Sequence, residues 1–589
     1  MKHTPFFLIA LLWSSLTFAA PINLPKDASG WTIFTPSDDS RICYVSAADS
    51  DGTGTAHDDD DAVVGADPFN PTGDVDEFPT FAAAYAATRS DYPDWILLKR
   101  GETWTANWGQ IQRSGRGATE PFLIGAYGAS GTSPVVQTGA DEAWSIADDR
   151  SYFAIAGIDF YAHLRDPGNG GSITDALGDG GFDIYMGTGE STSGLLIEGC
   201  KFRYYESNRI QNDGISITDV RFYRCLFLDN YEDSSDHSQG LYSRLTTNLI
   251  IQECIFAHNG WYQASALGDD ADADGQATQY NHNIYFASPT SGLQIKDSVF
   301  LDPSASSIKI TAEYDVAGLL VQNNLLLGGD YGISMCANYE ANTERIISPT
   351  ITNNVLTQVG RLNATNQEVM TGLYLGGLSG GTVGGNLIIN HENTGTTAAM
   401  GVSFFDGVFN ATISGNIIYN IYSGIGITIG TSATDSTGMV ISGNDIQMPA
   451  NGDYTVWGRY ALAGDFTFTG DTYYSNLSDG GRFAYNNVAV SDAAWISSTS
   501  DDYAWEEKTY PAPTRDVDTY MASIGETGTI DAFIAAQRAQ DRYNWDSRLE
   551  ADTVNDWIRA GFGINTPPGR SVGTGPAATV GTGPGFTLQ

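Results

Sequence analysis

A short motif recurs along the chain and places small polar residues at nearly regular intervals. The fragments are LLIEGCKF, VRFYRCLF, LIIQECIF, LQIKDSVF, LLVQNNLL, PTITNNVL, GTVGGNLI, ATISGNII and MVISGNDI. Their shared column is Cys200, Cys225, Cys254, Ser298, Asn324, Asn354, Asn386, Asn416 and Asn444. Successive members lie 25, 29, 44, 26, 30, 32, 30 and 28 residues apart. A repeat of this length with short β-branched runs predicts a solenoid in which each repeat forms one turn.

The residue types in this column have a physical reason. Stacked Asn side chains can hydrogen-bond to one another and to the backbone of a bend, and Cys or Ser fits the same small niche. Such ladders resemble those of the right-handed parallel β-helix of pectate lyases, chondroitinases and alginate lyases. The resemblance covers about residues 95–490 and implies an all-β, single-stranded right-handed parallel β-helix.

The two ends of the chain have different patterns. Residues 1–20 combine a basic start, an apolar run and small residues, which is typical of a secretory signal peptide. We therefore expect a secreted protein, extracellular or periplasmic. Residues 21–94 form an N-terminal segment with a capping helix in FPTFAAAYAATRS, 95–490 the β-helix, 491–566 a helical segment, and 567–589 a disordered tail.

Net charge and hydropathy argue against some classes of binding partner, and the cysteine content bears on disulfide bonding. The formal net charge of −41 argues against nucleic acid as a partner, and no stretch after the signal is long and apolar enough to insert into a membrane. Five cysteines are an odd number for an exported protein, and we expect Cys200, Cys225 and Cys254 to be stacked and unbridged. We expect a monomer.

A second set of strands predicts a functional face. Side chains along a strand alternate between the two faces of the sheet, so the central residue of each strand is directed outward. The strands are FDIYMG, NRIQND, QGLYSR, HNIYFA, SSIKIT, YGISMC and TGLYLG. The outward residues are Tyr185, Gln211, Tyr242, Tyr285, Lys309, Ser334 and Tyr374. Six intervals of ~4.8 Å give a stripe of about 29 Å. Arg209, Asp213, Arg244, His237 and His282 flank this stripe.

This residue set suits an acidic polysaccharide, since aromatic rings stack on sugars and cations pair with carboxylates. The leading hypothesis is a lyase that cleaves by β-elimination. Arg209 or Arg244, with calcium as a further candidate, would neutralise the uronate carboxylate. Lys309 would be the base, and Tyr285, Tyr242 or His282 the acid, with His237 as a further catalytic candidate. Tyr185, Arg209, Gln211, Asp213 and Tyr374 are the candidate substrate-binding residues.

A second resemblance concerns the same face. YNHNIYFASPTSGLQIKDSVF, followed by SSIKIT, resembles a segment of exported β-helix proteins related to polysaccharide lyases. It implies roles for His282, Tyr285 and Lys309. In those proteins the lysine is usually followed by Ser-Arg, whereas Ile310 and Thr311 follow it in this chain.

An insertion between Cys254 and Ser298 carries a metal candidate, GDDADADG. Asp270, Asp272 and Asp274, followed by Gly275, match the first half of a D-x-D-x-D-G calcium loop. The twelfth position is Asn281 in place of Glu. A partial calcium loop and a solvated acidic insertion both remain open.

Three other functions fit the sequence. A glycoside hydrolase needs two facing carboxylates, for which Asp213, Asp233, Asp236 and Glu313 are near the stripe. A uronate C5-epimerase would use nearly the same groups as a lyase. A non-catalytic carbohydrate-binding β-helix would use the same face without chemistry.

Overall fold

Each repeated motif folds into one turn of a parallel β-helix, and the computed structural model contains about 12 such turns. The structure describes residues 21–49, 51–170, 180–187, 189–212, 214, 217–232, 237–262, 275–337, 345–367, 370–391, 399–405, 407–430, 436–448, 453–460, 462 and 466–564. The signal peptide and tail expected from the sequence lie outside these residues. No helix in the described ranges is long and apolar enough to cross a membrane.

Within the described ranges, three long sheets run along the helix axis. Sheet 1 has 16 strands among these residues. In the order of the sheet, 15 of them are His57–Asp58, Arg41–Val45, Trp95–Lys99, Phe122–Tyr127, Arg150–Ala156, Thr192–Glu198, Ile217–Tyr223, Ile250–Gln252, Gln294–Lys296, Leu320–Gln322, Thr350–Thr352, Thr382–Gly384, Thr412–Ser414, Val440–Ser442 and Thr467–Thr469. The remaining strand, Thr246–Thr247, also pairs with Ile217–Tyr223.

Sheet 2 has 14 strands, each following a ladder position or its equivalent. They are Thr103–Thr105, Val135–Gln137, Asp159–Tyr161, Lys201–Arg203, Leu226–Leu228, Ile255–Ala257, Val299–Leu301, Leu325–Leu327, Val355–Thr357, Leu387–Ile389, Ile417–Tyr419, Asp445–Met448, Thr472–Ser475 and Ala504–Trp505.

Sheet 3 also has 14 strands and contains the predicted stripe. They are Gly109–Gln110, Trp144–Ile146, Phe182–Met186, Ser207–Asn212, Gln239–Arg244, His282–Ala287, Ser306–Ala312, Tyr331–Ala337, Thr371–Leu375, Met400–Phe404, Ile425–Ile429, Val456–Gly458, Phe483–Tyr485 and Val488–Val490. A short fourth sheet joins Val316–Ala317, Ile346–Ile347, Leu378–Ser379, Val408–Phe409 and Ser436–Thr437.

The ladder column occupies the bend between sheets 1 and 2. The residue before each position has a left-handed backbone, with φ from 49° to 64°, at Gly199, Arg224, Glu253, Asp297, Asn323, Asn353, Gly385, Gly415 and Gly443. Gly and Asn adopt this conformation most readily, which explains the recurring Gly-Asn and Asn-Asn pairs. Asn324 Nδ2 donates to Asn354 Oδ1 at 3.0 Å, and Asn354 Nδ2 to Asn386 Oδ1 at 2.9 Å. Cys200, Cys225 and Cys254 are buried and unbridged.

Aromatic rings stack through the interior of the early turns. The distances between the centroids of successive rings are 5.2, 5.3, 4.6 and 5.0 Å, and the ring planes are nearly parallel, in the column Phe160, Phe202, Phe227, Phe256 and Phe300. All five are fully buried. This column is the apolar counterpart of the Asn ladder, because in-register turns bring the same residue type into contact at every step.

Helices cover the ends and one side. Phe81–Ala87 caps the first turns, and its Phe81 ring stacks on Trp108 at 4.3 Å. Asp492–Thr499 covers the last turn through the buried Trp495. Val517–Ser523, Ile530–Arg538 and Ala551–Gly561 pack against the outer face of sheet 2. Short 3-10 helices span Pro167–Asn169 and Ser547–Leu549.

Candidate functional site

Sheet 3 presents one continuous column of outward side chains, which we call the central column. Its members, paired in register from turn to turn, are Arg209, Tyr242, Tyr285, Lys309, Ser334, Tyr374, Ser403, Thr428 and Trp457. Lys309 is half-buried between Ile308 and Ile310, which are fully buried. The period-two alternation of the sequence therefore assigns the outward face of this strand correctly.

The predicted register is wrong at one step. Gln211 was expected beside Tyr242, but Arg209 occupies that position. Ser207 pairs with Gln239, and Arg209 pairs with Tyr242. One residue separates Ser207 from Arg209, whereas two residues separate Gln239 from Tyr242. This irregularity adds one residue to the Gln239–Arg244 strand. It brings an arginine into the central column and moves Gln211 toward the edge of the sheet.

Lys309 is held by neutral groups. Its Nζ donates to Ser334 Oγ at 3.1 Å and lies 3.8 Å from Cys336 Sγ. Within the described ranges, no carboxylate lies within ion-pair distance of this amine. By contrast, Lys99 is paired with Glu77 at 2.7 Å. An amine without a carboxylate partner is available to a substrate proton or a substrate anion.

Tyr242 and Tyr285 form an edge-to-face pair with centroids 5.5 Å apart. The Tyr285 hydroxyl lies 3.2 Å from Thr311 Oγ1. Burial raises the pKa of both tyrosines above the ordinary value of 10. Both hydroxyls are therefore protonated at neutral pH and can act as proton donors.

His282 begins its strand and is buried beneath this pair. Its Nδ1 accepts a hydrogen bond from the Ser306 backbone N–H at 3.2 Å, and its ring lies edge-on to Tyr285 at 5.7 Å. Burial, with smaller effects of Lys309 and His237, lowers the pKa of His282 well below 6.5. The ring is therefore neutral, and because Nδ1 accepts, Nε2 carries the proton.

Both arginines lie on turns before Lys309, Arg209 three turns away in the central column and Arg244 two turns away. Arg244 contacts Glu313 at 3.4 Å, with both side chains partly exposed. Arg209 lies 4.0 Å from Glu206. The Arg244–Glu313 pair is the more exposed of the two and is therefore weak, so a substrate carboxylate can compete for Arg244.

The other predicted residues lie as follows. Tyr185 is 40 % exposed, but it pairs with Gln211 and so lies beside the central column, where Asp183 pairs with Arg209. One face of Tyr374 is covered by Phe405 at 3.7 Å, and its role in substrate binding stays a prediction. His237 is exposed and contacts Tyr280 edge-on at 5.3 Å. Asp213, Asp270, Asp272 and Asp274 lie outside the described residues, and the described part of the chain has no cluster of three metal-ligating side chains.

Sequence reasoning missed the neighbours that hold this site. Ser334 was placed in the stripe without a role, and Thr311 and Cys336 were not proposed at all. Thr311 and Cys336 pair with each other two residues after the central column. The same period-two rule identifies them, because an outward residue recurs at that spacing.

Comparison with known proteins adds a likeness of fold. No family model and no curated protein matches the sequence. Among solved structures, a mannuronic acid specific polysaccharide family 6 lyase from human gut microbiota has a TM-score of 0.42 and 12 % identity, over 76 % of this chain and 93 % of that one. The Azotobacter vinelandii mannuronan C-5 epimerase AlgE4 A-module has 0.36 and 12 %, over 70 % and 89 %.

Pectate lyase Pel9A has a TM-score of 0.30 and 12 % identity, over 77 % of this chain and 78 % of that one. These are parallel β-helix proteins. The parallel β-helix architecture expected from the ladder motif is confirmed by the strand pairing of this chain.

Proposed function

We propose that the protein is an exported lyase that cleaves a uronic-acid polysaccharide by β-elimination on sheet 3. The observation that carries this proposal is Lys309, a half-buried amine held by Ser334 without a carboxylate partner among the described residues. It lies beside protonated Tyr285 and one turn further from Tyr242. A base, an acid and flanking cations on one face are the groups that this chemistry requires.

The reaction divides among these side chains. Arg244 or Arg209 pairs with the uronate carboxylate and withdraws charge, so that the C5 proton becomes acidic. Lys309, as the free amine, removes that proton and becomes an ammonium. The C5–H electron pair forms the C4=C5 double bond while the C4–O bond breaks, and the Tyr285 hydroxyl protonates the departing oxygen. Solvent then removes the proton from Lys309 and returns one to Tyr285.

Charge favours an anionic substrate at this place. The chain carries 29 basic and 70 acidic residues, yet the face around Lys309 holds Arg209 and Arg244 as well. Arg209 and Arg244 each contact a glutamate, so Lys309 is the cation of this face without a carboxylate partner among the described residues and is the charge that remains for an anionic substrate.

The described residues give less support to hydrolysis. Of the four carboxylates considered for that reaction, Asp213, Asp233 and Asp236 lie outside the described residues. Glu313 is described, and it contacts Arg244. A hydrolase needs two carboxyl groups at a fixed separation, and Glu313 is the one candidate of the four that the structure describes.

The test is digestion of a panel of purified uronic-acid polysaccharides, alginate and polygalacturonate among them. The unsaturated uronate absorbs in the ultraviolet, so absorbance should rise together with new reducing ends. Reducing ends without absorbance would indicate hydrolysis, inversion at C5 without cleavage an epimerase, and binding alone a carbohydrate-binding protein. Each of these results would contradict the proposal.

A further inference from the structure

We infer that the substrate-binding face extends beyond the catalytic stripe to a distal anionic-sugar subsite formed by Trp457 and Arg459. This inference rests on the proposed function for its substrate class, a uronic-acid polymer. Its geometry rests on the register of sheet 3 alone.

The central column continues without interruption from Lys309 to Trp457. Ser334, Tyr374, Ser403, Thr428 and Trp457 are paired in register, one per turn. Five intervals of ~4.8 Å place Trp457 about 24 Å from the Lys309 strand. Three of the four intervening residues are Ser or Thr, whose short side chains are buried among their neighbours. In this proposal, an extended polymer bound at Lys309 follows the line of this column over several sugar rings.

Trp457 is held as a fixed, half-buried ring at the end of this surface. Its Nε1 donates to Asn487 Oδ1 at 3.2 Å, and Tyr454 lies beside it with centroids 6.0 Å apart. A ring whose orientation is already fixed loses little conformational entropy when a sugar stacks on it.

Arg459 supplies the charge. Its guanidinium carbon lies 4.6 Å from the centroid of the Trp457 ring. Its Nε is buried and has no hydrogen-bond partner within the described ranges, and no carboxylate there lies within ion-pair distance. A ring beside an unpaired guanidinium is suited to a sugar that carries a carboxylate, since the ring contacts the apolar sugar face and the cation pairs with the anion.

The consequence concerns chain length. A distal subsite separated from the reacting groups by about 24 Å is reached by long chains and not by short ones. The protein should therefore prefer internal bonds of long polymers, and its affinity should rise when an oligomer becomes long enough to contact both regions.

The experiment measures binding without turnover, in the Lys309→Ala background. Dissociation constants are measured for trimers and octamers of mannuronate, guluronate and galacturonate. Trp457→Ala and Arg459→Ala are each added to this background. Tyr92→Ala is the matched control, because Tyr92 is also a partly exposed ring stacked by an arginine, Arg89, but lies in the N-terminal segment. Thermal unfolding checks that each variant is folded.

We expect Trp457→Ala and Arg459→Ala to weaken binding of the preferred octamer by about three- to tenfold, with the trimer and the Tyr92→Ala control unchanged. Equal losses for trimer and octamer, no loss for the octamer, or no octamer binding at all would overturn the inference. Failure of the proposed chemistry gives a different result: Trp457-dependent octamer binding would persist while the parent protein released no unsaturated product.

Discussion

Lys309 and Ser334 lie on neighbouring turns of the β-helix, and Lys309 Nζ donates a hydrogen bond to Ser334 Oγ at 3.1 Å. The contact fixes the direction of the amine through a neutral acceptor. An ion pair in the same place would stabilise the ammonium form and oppose a role as a base. The strand pairing that aligns the two residues thus orients the group on which the proposed reaction depends.

Replacing this amine should affect the chemical step most. We expect Lys309→Ala to lower kcat by at least ~10²-fold with a smaller change in KM, because a general base acts mainly in the transition state. The readout is the rate of unsaturated-product formation. Lys296→Ala is the control, since Lys296 is a half-buried lysine on sheet 1. Near-normal turnover of Lys309→Ala would contradict the assignment and direct attention to His282, His237 and Tyr285.

Arg244 should contribute to both binding and rate. Arg244→Ala is expected to raise KM and lower kcat, since a carboxylate partner acts before and during the reaction. Glu313→Gln should instead lower KM by about two- to fivefold, because it removes the competing partner of an exposed ion pair. Steady-state kinetics on one uronate polymer measures both. A rise in KM for Glu313→Gln would show that the two residues act together on the substrate.

Thiol chemistry offers a probe of the same surface. All five cysteines are unbridged, and Cys336 alone is not fully buried. We expect a thiol reagent to label one cysteine in the native protein and five after denaturation. A bulky adduct on Cys336 should also abolish activity, because its sulfur lies 3.8 Å from Lys309 Nζ.

Cys336→Ser should retain activity and become resistant to the reagent. Labelling of the native protein without inhibition would show that the thiol lies away from the substrate path. Oxidised Cys200, Cys225 and Cys254 would contradict the ladder.

Stability should depend on pH through Asp330. Burial raises the pKa of this carboxyl from 3.8 to about 7, with Thr365 as a hydrogen-bond donor. The folded state therefore binds the proton more tightly than the unfolded state. This contribution is fully present below about pH 4 and is lost as the pH rises toward 7.

Asp330→Asn should remove that loss. A difference of about three pKa units corresponds to ~4 kcal/mol, so the variant should be more stable than the parent at pH 8 by up to this amount. At pH 4 the two proteins should be similar. Denaturant unfolding at both pH values measures the difference, and an equal difference at the two values would assign the pKa shift to another group.

Calcium binding by the insertion remains a prediction. If Asp270, Asp272 and Asp274 bind calcium, chelation should lower Tm or activity, and Asp272→Ala should remove that sensitivity. An unchanged response to chelation in the variant would identify the insertion as solvated acidic loop.

The sequence determined the architecture because its signals are local and repeated. A left-handed residue followed by Asn, Cys or Ser marks the same bend in each turn, and period-two alternation separates inward from outward side chains. These features predicted the β-helix, the unbridged cysteines and the outward positions of Tyr285 and Lys309.

Tertiary structure decided how neighbouring turns align and what their side chains contact. One extra residue in the Gln239–Arg244 strand places Arg209, and not Gln211, beside Tyr242. The Arg244–Glu313 contact joins residues 69 positions apart, and the neutral state of His282 follows from its burial beneath Tyr285. Alternation within a strand is a property of the local backbone, whereas register and burial depend on how separate turns stack on one another.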